Sequence, residues 1–388
     1  MAFGWKLHGD GRTPPPGQVV RPDERLSWGR TVGLGAQHVI AMFGATFVFP
    51  LVMGLDPNLA IMMSGVATII FLLIVGGKVP SYLGTSASFV GAVVAIREAG
   101  GTSATVTGAI FVAGLVLAAV GVLIHVAGGR LLHAILPPAV TGAVVMLIGF
   151  NLAPVVANIY WPQDQWVALL TMSAVILMSV LLRGFLARIA ILLGLVFGFA
   201  LSWVLDNTAG QITSALPGSN LTDAAGRPCE AAGTYCVATP FPHDRLSFDG
   251  VRQADWFGFP DTFAPDFKTS AVLLALPAVI ALVAENTGHV KAVAEMTGDD
   301  LDPYMGRAIG ADGVGTALAS AVGGSPTTTY AENIGVMAAT RVYSTAAYYA
   351  AALVAILFGL CPKFGALVAA TPGGVLGGIT VVLYGMIG

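Results

Sequence analysis

Two glutamates stand where a charged side chain is expensive. Glu285 interrupts the run Ala281-Leu282-Val283-Ala284-Glu285-Asn286-Thr287-Gly288-His289, and Glu332 closes Thr327-Thr328-Thr329-Tyr330-Ala331-Glu332-Asn333. Of the 21 Asp and Glu in the chain, nearly all the others fall in the N-terminal tail, in loops or in one long polar segment. An ionised carboxylate at the centre of a bilayer costs on the order of 3 kcal/mol, so each of these two must face a cavity or a partner. His289 follows Glu285 by four positions, which on a helix puts both on one face about 6 Å apart along the axis. A carboxylate and an imidazole so placed can exchange a proton or share it with a ligand. A helix cap or a purely structural Glu–His hydrogen bond is the alternative.

Two segments are too polar and too broken to be plain spans. They are Val79-Pro80-Ser81-Tyr82-Leu83-Gly84-Thr85-Ser86-Ala87-Ser88-Phe89 and Gly323-Gly324-Ser325-Pro326-Thr327-Thr328-Thr329-Tyr330-Ala331-Glu332. Each runs from a Pro-containing extended stretch through hydroxyl residues into an apolar half-helix. The start of a half-helix leaves backbone N–H groups without intrahelical acceptors, and these can bind a ligand carbonyl oxygen. Thr327 to Thr329 are suitable residues to cap the second one. Paired interrupted spans at corresponding positions point to an inverted repeat with a site near the membrane midplane.

The rest of the chain must hold those segments at depth. Its 388 residues are 56% hydrophobic and 10% charged, with a mean hydropathy of +0.81. A soluble domain carries about a quarter charged residues, so an ordinary globular enzyme is excluded. The 49 Gly and 22 Pro sit among long apolar runs, where membrane helices tolerate them. Net charge is −3 with no basic block, which argues against nucleic acid as a partner. Apolar stretches predict an all-α polytopic membrane protein of twelve spans, at 31–53, 59–76, 79–98, 104–127, 132–157, 165–182, 186–205, 270–288, 307–323, 325–340, 345–361 and 364–388. The two interrupted segments are the third and tenth of these.

The tail, residues 1–30, is polar, carries five Lys/Arg and resembles no signal peptide. With the N-terminus cytoplasmic, short inside loops hold Lys78, Arg130, Arg183, Arg188, Lys291, Arg307 and Arg341, and short outside loops only Arg97 and Lys363. That asymmetry predicts the N-terminus inside. The segment 206–269, with eight carboxylates, is then an external excursion. Within it Cys229 and Cys236 are either a loop-closing disulfide or two free thiols, and Cys361 is a packing residue. The chain ends at Gly388 within an apolar run, which reads as a C-terminal truncation. Gln37-His38 is a polar pair in the first span, able to bridge helices or touch a ligand. Asp312, close behind Arg307, is read as an interfacial charge. No HExxH or GxSxG motif occurs, and Gly76-Gly77-Lys78 lacks the spacing of a phosphate loop.

At the residues that carry the chemistry the sequence resembles the nucleobase–ascorbate (nucleobase–cation symporter 2) family, nearest to its uracil permeases and the pyrimidine permeases of the pyrimidine-utilisation (Rut) pathway. The strongest matches are Ala284-Glu285-Asn286-Thr287-Gly288-His289 and the run from Thr328 to Met337. Gln37-His38, the run from Ala41 to Thr46, Tyr82-Leu83-Gly84-Thr85-Ser86 and Asp302-Pro303-Tyr304-Met305-Gly306-Arg307 support them. The resemblance implies a fourteen-helix fold of two inverted seven-helix repeats, with a core and a gate domain. On this chain the core would be 31–127 and 270–361, and the gate 132–205 and the start of its second part at 364–388, with 206–269 the external loop. It implies that Glu285 and Glu332 accept hydrogen bonds from the ring N–H groups of uracil. Backbone N–H groups at Ala87 and Ala331 would meet the carbonyl oxygens, His289 would join Glu285 in proton coupling, and Ala45 would line the pocket. The uracil permease pattern places a Phe where this chain has Ala87, so any ring stacking is absent or moved to Phe89.

The expected activity is proton-coupled uptake of uracil or a related pyrimidine across a bacterial inner membrane. The coupling ion is H+, with Na+ as the alternative, and no cofactor or metal is called for. The expected partners are the nucleobase, the lipid bilayer and, from the resemblance, a second copy in a homodimer. A purine or xanthine permease is the near competitor. An anion transporter of the similarly folded sulfate/bicarbonate group is opposed by two carboxylates aimed at one cavity. An intramembrane enzyme lacks a metal triad or an activated nucleophile, and a channel lacks several polar faces aligned along a pore.

Overall fold

The computed structural model describes residues 4–12, 14, 18–128, 156–183, 189–215, 221–222 and 237–387, and isolated positions between 143 and 186. Most of the expected span 132–157 lies outside the described residues, as do Arg130, Arg188, Cys229 and Cys236. The chain is predominantly helical. Its main elements are α1 (Trp28–Met53), α2 (Pro57–Ile74), β1 (Leu83–Thr85), α3 (Val90–Glu98), α4 (Ser103–Ala127), α5 (Gln165–Leu181) and α6 (Ala190–Thr208). After the polar segment come α7 (Pro277–Thr297), α8 (Met305–Ala321), β2 (Thr327–Thr329), α9 (Ala331–Thr340), α10 (Thr345–Gly359), α11 (Pro362–Ala369) and α12 (Gly373–Ile387). Among the described residues four helices are long and apolar enough to cross a membrane, or seven if each bent pair counts as one span.

Local chemistry explains the boundaries. Asp56 accepts the Leu59 N–H at 2.6 Å with Pro57 opening α2, an N-cap followed by a residue whose missing N–H would have been unpaired. Thr102 and Asp164 cap α4 and α5 in the same way. At the far end of α1, Gly54 takes a left-handed conformation with φ 65°, and Arg97 Nη2 donates to the Met53 and Gly54 carbonyls at 3.0 and 3.1 Å.

Three expectations need correction. The stretch 364–388 is two helices, α11 and α12, separated at Ala370–Pro372, and α11 stands at 81° to α10. Pro362 and Pro372 account for both breaks, because the residue before a proline is pushed out of the helical region; Cys361 duly has φ −115° and ψ 90°. The span 270–288 is a piece of a helical stretch running from Thr269 to Thr297, since apolarity marks a bilayer crossing and a helix continues beyond it. Thr327–Thr329 do not cap α9: they form β2, and the N-cap is Tyr330, with no side-chain cap bond.

The buried core surrounds the two strands, with Phe71, Tyr82, Phe89 and Tyr348 fully buried. α4 packs on α8 backbone to backbone. A Cβ on Gly121 would collide with the Gly310 backbone, and one on Gly114 would stand 2.7 Å from Ala317 N. Such close approach is what small residues permit between membrane helices. Gly121→Val should therefore destabilise the protein by about 2 kcal/mol, since overpacking forces the backbones apart. A thermal melt in detergent measures this, and an unchanged midpoint would contradict the packing.

The loops sort onto two faces. The tail crosses the junction of α9 and α10, where Val20 N–H donates to Arg341 O and Tyr343 N–H to Val20 O, and Arg21 reaches Asp299 at 3.8 Å. Lys78, Asp299 and Tyr304 share a cavity of about 480 Å³ with the tail. Residues 255–266 bond instead to the opposite ends of the bundle, at Ala104, Val322 and Leu360.

Candidate functional site

The organising feature is one that local sequence does not announce. β1 and β2 pair antiparallel, Leu83 against Thr329, Gly84 against Thr328 and Thr85 against Thr327. Ser86 N–H donates to Pro326 O at 2.9 Å and Tyr330 N–H to Tyr82 O at 3.1 Å, extending the ladder. Gly84 is needed there, for a Cβ would lie 2.5 Å from the Tyr330 ring and 2.7 Å from Thr46 Oγ1. Each strand leads into a short helix: β1 into a 3₁₀ turn at Ala87–Phe89 and α3, β2 into α9. The pairing thus sets two helix starts side by side, next to α7.

The helix starts differ in their free donors. Ser86 Oγ accepts the Ser88 N–H at 3.3 Å, so the first turn at Ala87 is capped. The α9 start has no side-chain cap, and its first N–H groups remain a site for an acceptor. Ala331 is exposed, whereas Ala87, Ser88, Glu285, His289 and Glu332 are half-buried. Ser88 Oγ donates to Glu285 Oε2 at 3.3 Å. Glu285 is within electrostatic range of both Glu332 and Asp312. Ala45 is 5% exposed on α1, one residue before Thr46, whose carbonyl accepts from Thr85 Oγ1 at 3.4 Å. Phe89 is fully buried in the core, so its ring presents no accessible face.

Asp312 is the residue that sequence reasoning misplaced. It is fully buried, not interfacial, and accepts from Asn286 Nδ2 at 2.6 Å and Thr327 Oγ1 at 3.4 Å. A chain of assignments follows. Asn286 Nδ2 also donates to Leu282 O at 2.9 Å, which turns its Oδ1 toward Thr329, whose hydroxyl donates to it at 3.2 Å. A hydroxyl has one hydrogen, so at the 2.8 Å contact between His289 Nδ1 and Thr329 Oγ1 the imidazole must be the donor. Asp312, acting through Asn286 and Thr329, therefore favours the Nδ1–H tautomer of His289, in which Nε2 is the acceptor. In protein labelled with ¹⁵N-histidine, His289 should resonate as that tautomer, and Thr329→Val should abolish the preference. A His289 that stays in one tautomer in the variant would break the chain of reasoning.

His38, the other half of the polar pair with Gln37, bridges helices. Asn333 Nδ2 donates to His38 O at 3.1 Å and lies 3.2 Å from its Nδ1, and the ring packs 4.4 Å from Tyr348. Among the described residues no three His, Cys, Asp or Glu side chains converge as a metal site. Two large cavities lie elsewhere: the one beneath the tail, and one of about 640 Å³ lined by Val156, Trp161, Val381 and Tyr384.

This bundle of apolar helices around two short paired strands shares its fold with solved membrane transporters. It superposes on the transmembrane domain of a cyanobacterial bicarbonate transporter, BicA, with a TM-score of 0.60 over 92% of this chain and 87% of that one. At 14% identity that likeness establishes the fold alone. Residues 29–388 match the permease family that takes in the xanthine and uracil permeases, and the chain belongs to it. RutG of Escherichia coli strain K12, named as a pyrimidine permease, is 44% identical over 376 residues, covering 95% of this chain and 78% of its own. The uracil permease of Bacillus caldolyticus is 35% identical over 385 residues, covering 95% and 80%. The protein is thus a multi-pass integral membrane permease and not an enzyme.

Proposed function

We propose that the chain imports uracil or a closely related pyrimidine across a bacterial inner membrane by proton symport. The observation that carries the reading is the β1–β2 pairing, which brings Ala87, Ala331 and Glu332 to the face of α7 that bears Glu285 and His289. Uracil is a flat neutral ring whose edge alternates N–H donors and carbonyl acceptors. Glu285 and Glu332 supply acceptors for the N–H groups, and the N–H groups of Ala87 and Ala331 supply donors for the carbonyls. Ala45 closes the pocket from α1, and the Phe89 ring, buried in the core, does not stack on the base. Relatives named for uracil and pyrimidine permeation support this substrate class. Clustered carboxyl groups at Glu285, Glu332 and Asp312 oppose an anion, although the fold is shared with a bicarbonate transporter.

In this reading Glu285 takes up a proton from the external side and releases it inside, with the tautomer-fixed His289 as its partner. Substrate and proton are linked when the base binds one protonation state better. The transmembrane organisation is the one the resemblance implies: inverted repeats, broken third and tenth helices, a core of 31–127 and 270–361 rocking against a gate of 132–205 and 364–388, the N-terminus inside, and a homodimer. The antiparallel pairing of the two strand–helix segments favours the inverted repeat.

Uracil binding at two pH values, with and without Na+, tests the coupling ion, and competition of labelled uracil by thymine, xanthine and sulfate tests the substrate class. Competition by sulfate but not by thymine would overturn the proposal. Glu285→Gln should cut uptake driven by an inward proton gradient by about tenfold while uracil–uracil exchange persists, the coupling being worth on the order of 1–3 kcal/mol. Gradient-driven uptake at the parent rate would remove Glu285 from proton coupling.

A further inference from the structure

Four large aromatic side chains crowd a twelve-residue stretch that the transport site does not use. Trp256, Phe257, Phe259 and Phe267 are 76%, 70%, 78% and 56% exposed. They cannot collapse onto the protein, because the backbone that carries them is pinned at four points. Gly258 N–H donates to Leu360 O at 3.1 Å, Lys363 N–H to Asp255 O at 2.9 Å, Phe263 N–H to Val322 O at 3.2 Å and Asp266 N–H to Ala104 O at 2.8 Å. The stretch is thereby strapped across the ends of α4, α8 and α10, all on one face of the bundle. Thr105 Oγ1 adds a bond to Asp266 Oδ2 at 3.2 Å.

We infer that residues 255–268 lie in the boundary between headgroups and acyl chains and anchor this face of the protein in the bilayer. Left in water, such a fixed row of rings would be a standing apolar patch, and Trp and Lys beside it are the residues that settle at a membrane interface. The cations are in place. Lys363 Nζ stands 4.9 Å over the Trp256 ring, and Lys268 immediately precedes the helical stretch that starts at Thr269. The row is also continuous with the lipid-facing surface of an integral membrane protein. Phe267 packs edge-on against Phe111 of α4 at 5.8 Å, and exposed Leu115 continues that helix away from the strap. The polar excursion therefore does not stand wholly in water; its last stretch returns as a membrane-seated belt.

The test uses the full chain in phosphatidylcholine vesicles, with Cys229, Cys236 and Cys361 replaced by Ser and a spin label at Phe257→Cys. A label at Arg252→Cys, in the short helix Asp249–Gln253 just before the belt, is the aqueous control. Collisions with oxygen should exceed those with a water-soluble nickel chelate by about tenfold at 257 and the order should reverse at 252, as the steep interfacial polarity gradient demands. Nickel-dominated collisions at 257 overturn the inference. So does a label shielded from both reagents that becomes accessible on dilution to one copy per vesicle, because a second chain would then be the cover. Hydroxyl-radical labelling of the unsubstituted protein gives an independent reading: Trp256 and Phe259 should label about fivefold more slowly in vesicles than their exposure dictates. Labelling at the full aqueous rate refutes the belt.

Discussion

Glu332→Ala should bind uracil about 100-fold more weakly than the parent chain, the loss expected when a hydrogen bond to a charged acceptor is removed. The size follows from where Glu332 stands. It is in the first turn of α9, whose N-cap Tyr330 makes no side-chain cap bond, so in the proposed site the carboxylate and the Ala331 N–H form one donor–acceptor edge. Alanine keeps the donors and deletes the acceptor, leaving a ring N–H of the substrate unpaired. Folding is not the casualty. Glu285 lies within electrostatic range of Glu332, so removing one of two like charges relieves repulsion, and the melting midpoint should hold or rise. Glu332→Gln retains an oxygen acceptor and should lose less. Equilibrium binding of labelled uracil to detergent-purified protein, read beside a thermal melt, decides the matter. A well-folded Glu332→Ala protein that still binds uracil tightly sinks the site.

The parts of this molecule legible from sequence are those where local cost is high. A carboxylate among Ala, Leu and Val at Glu285 has no cheap explanation, and neither has a Pro–Ser–Thr stretch inside a span. Asp312 obeys the same rule and was hidden by its neighbour: Arg307 nearby makes an interfacial charge the economical reading. The flanking Ala311 and Gly313, eight residues into α8, were the available signal, since small residues mark buried helix contacts. The breaks around α11 were equally in view at Cys361-Pro362 and Thr371-Pro372. The β1–β2 pairing was not, because partners such as Thr85 and Thr327, on segments far apart in the chain, carry no local pattern that names each other. Its consequence is the exclusion of Thr327–Thr329 from the cap: a strand partner for their backbone competes with, and wins over, hydroxyl capping.

The fold and the sequence relatives speak to different levels. A bundle shared with a bicarbonate transporter at 14% identity fixes how helices are arranged and leaves the cargo open, as unrelated functions recur on one fold. In the proposed site the cargo is chosen by groups at the two helix starts. Three carboxyl groups near a neutral, N–H-bearing ring are complementary; near an anion they are not.

Away from the site, the largest effect should come from Arg245→Ala, expected to destabilise the protein by about 3 kcal/mol, the low end for breaking a buried ion pair. Arg245 ties the polar segment to two helices at once. Its Nε donates to Asp164 Oδ2 at 2.7 Å, and its Nη1 donates to Asp206 Oδ1 at 3.1 Å and to Gly210 O at 2.9 Å. All three side chains are nearly enclosed, at 12%, 8% and 13% exposure. Burial alone would lower the Arg245 pKa, and the bonds to Asp164 and Asp206 reverse it, raising it above the ordinary guanidinium value. Asp164 does double duty, since its Oδ1 accepts the Val167 N–H at 3.1 Å and starts α5. Removing the guanidinium therefore takes the cation from two carboxylates at once, leaving Asp206 with only the Arg245 and Leu246 backbone N–H groups and Asp164 with the Val167 N–H of its helix cap. Lysine should recover only part of the loss, because a single ammonium cannot fork between two carboxylates as the planar guanidinium does. Pairing Arg245→Ala with Asp206→Ala should cost less than the sum of the two single changes, because the second removes a carboxylate whose cation is already gone. Additive losses across that cycle, or an Arg245→Ala midpoint equal to the parent's, would mean that water and not Arg245 balances those two acids.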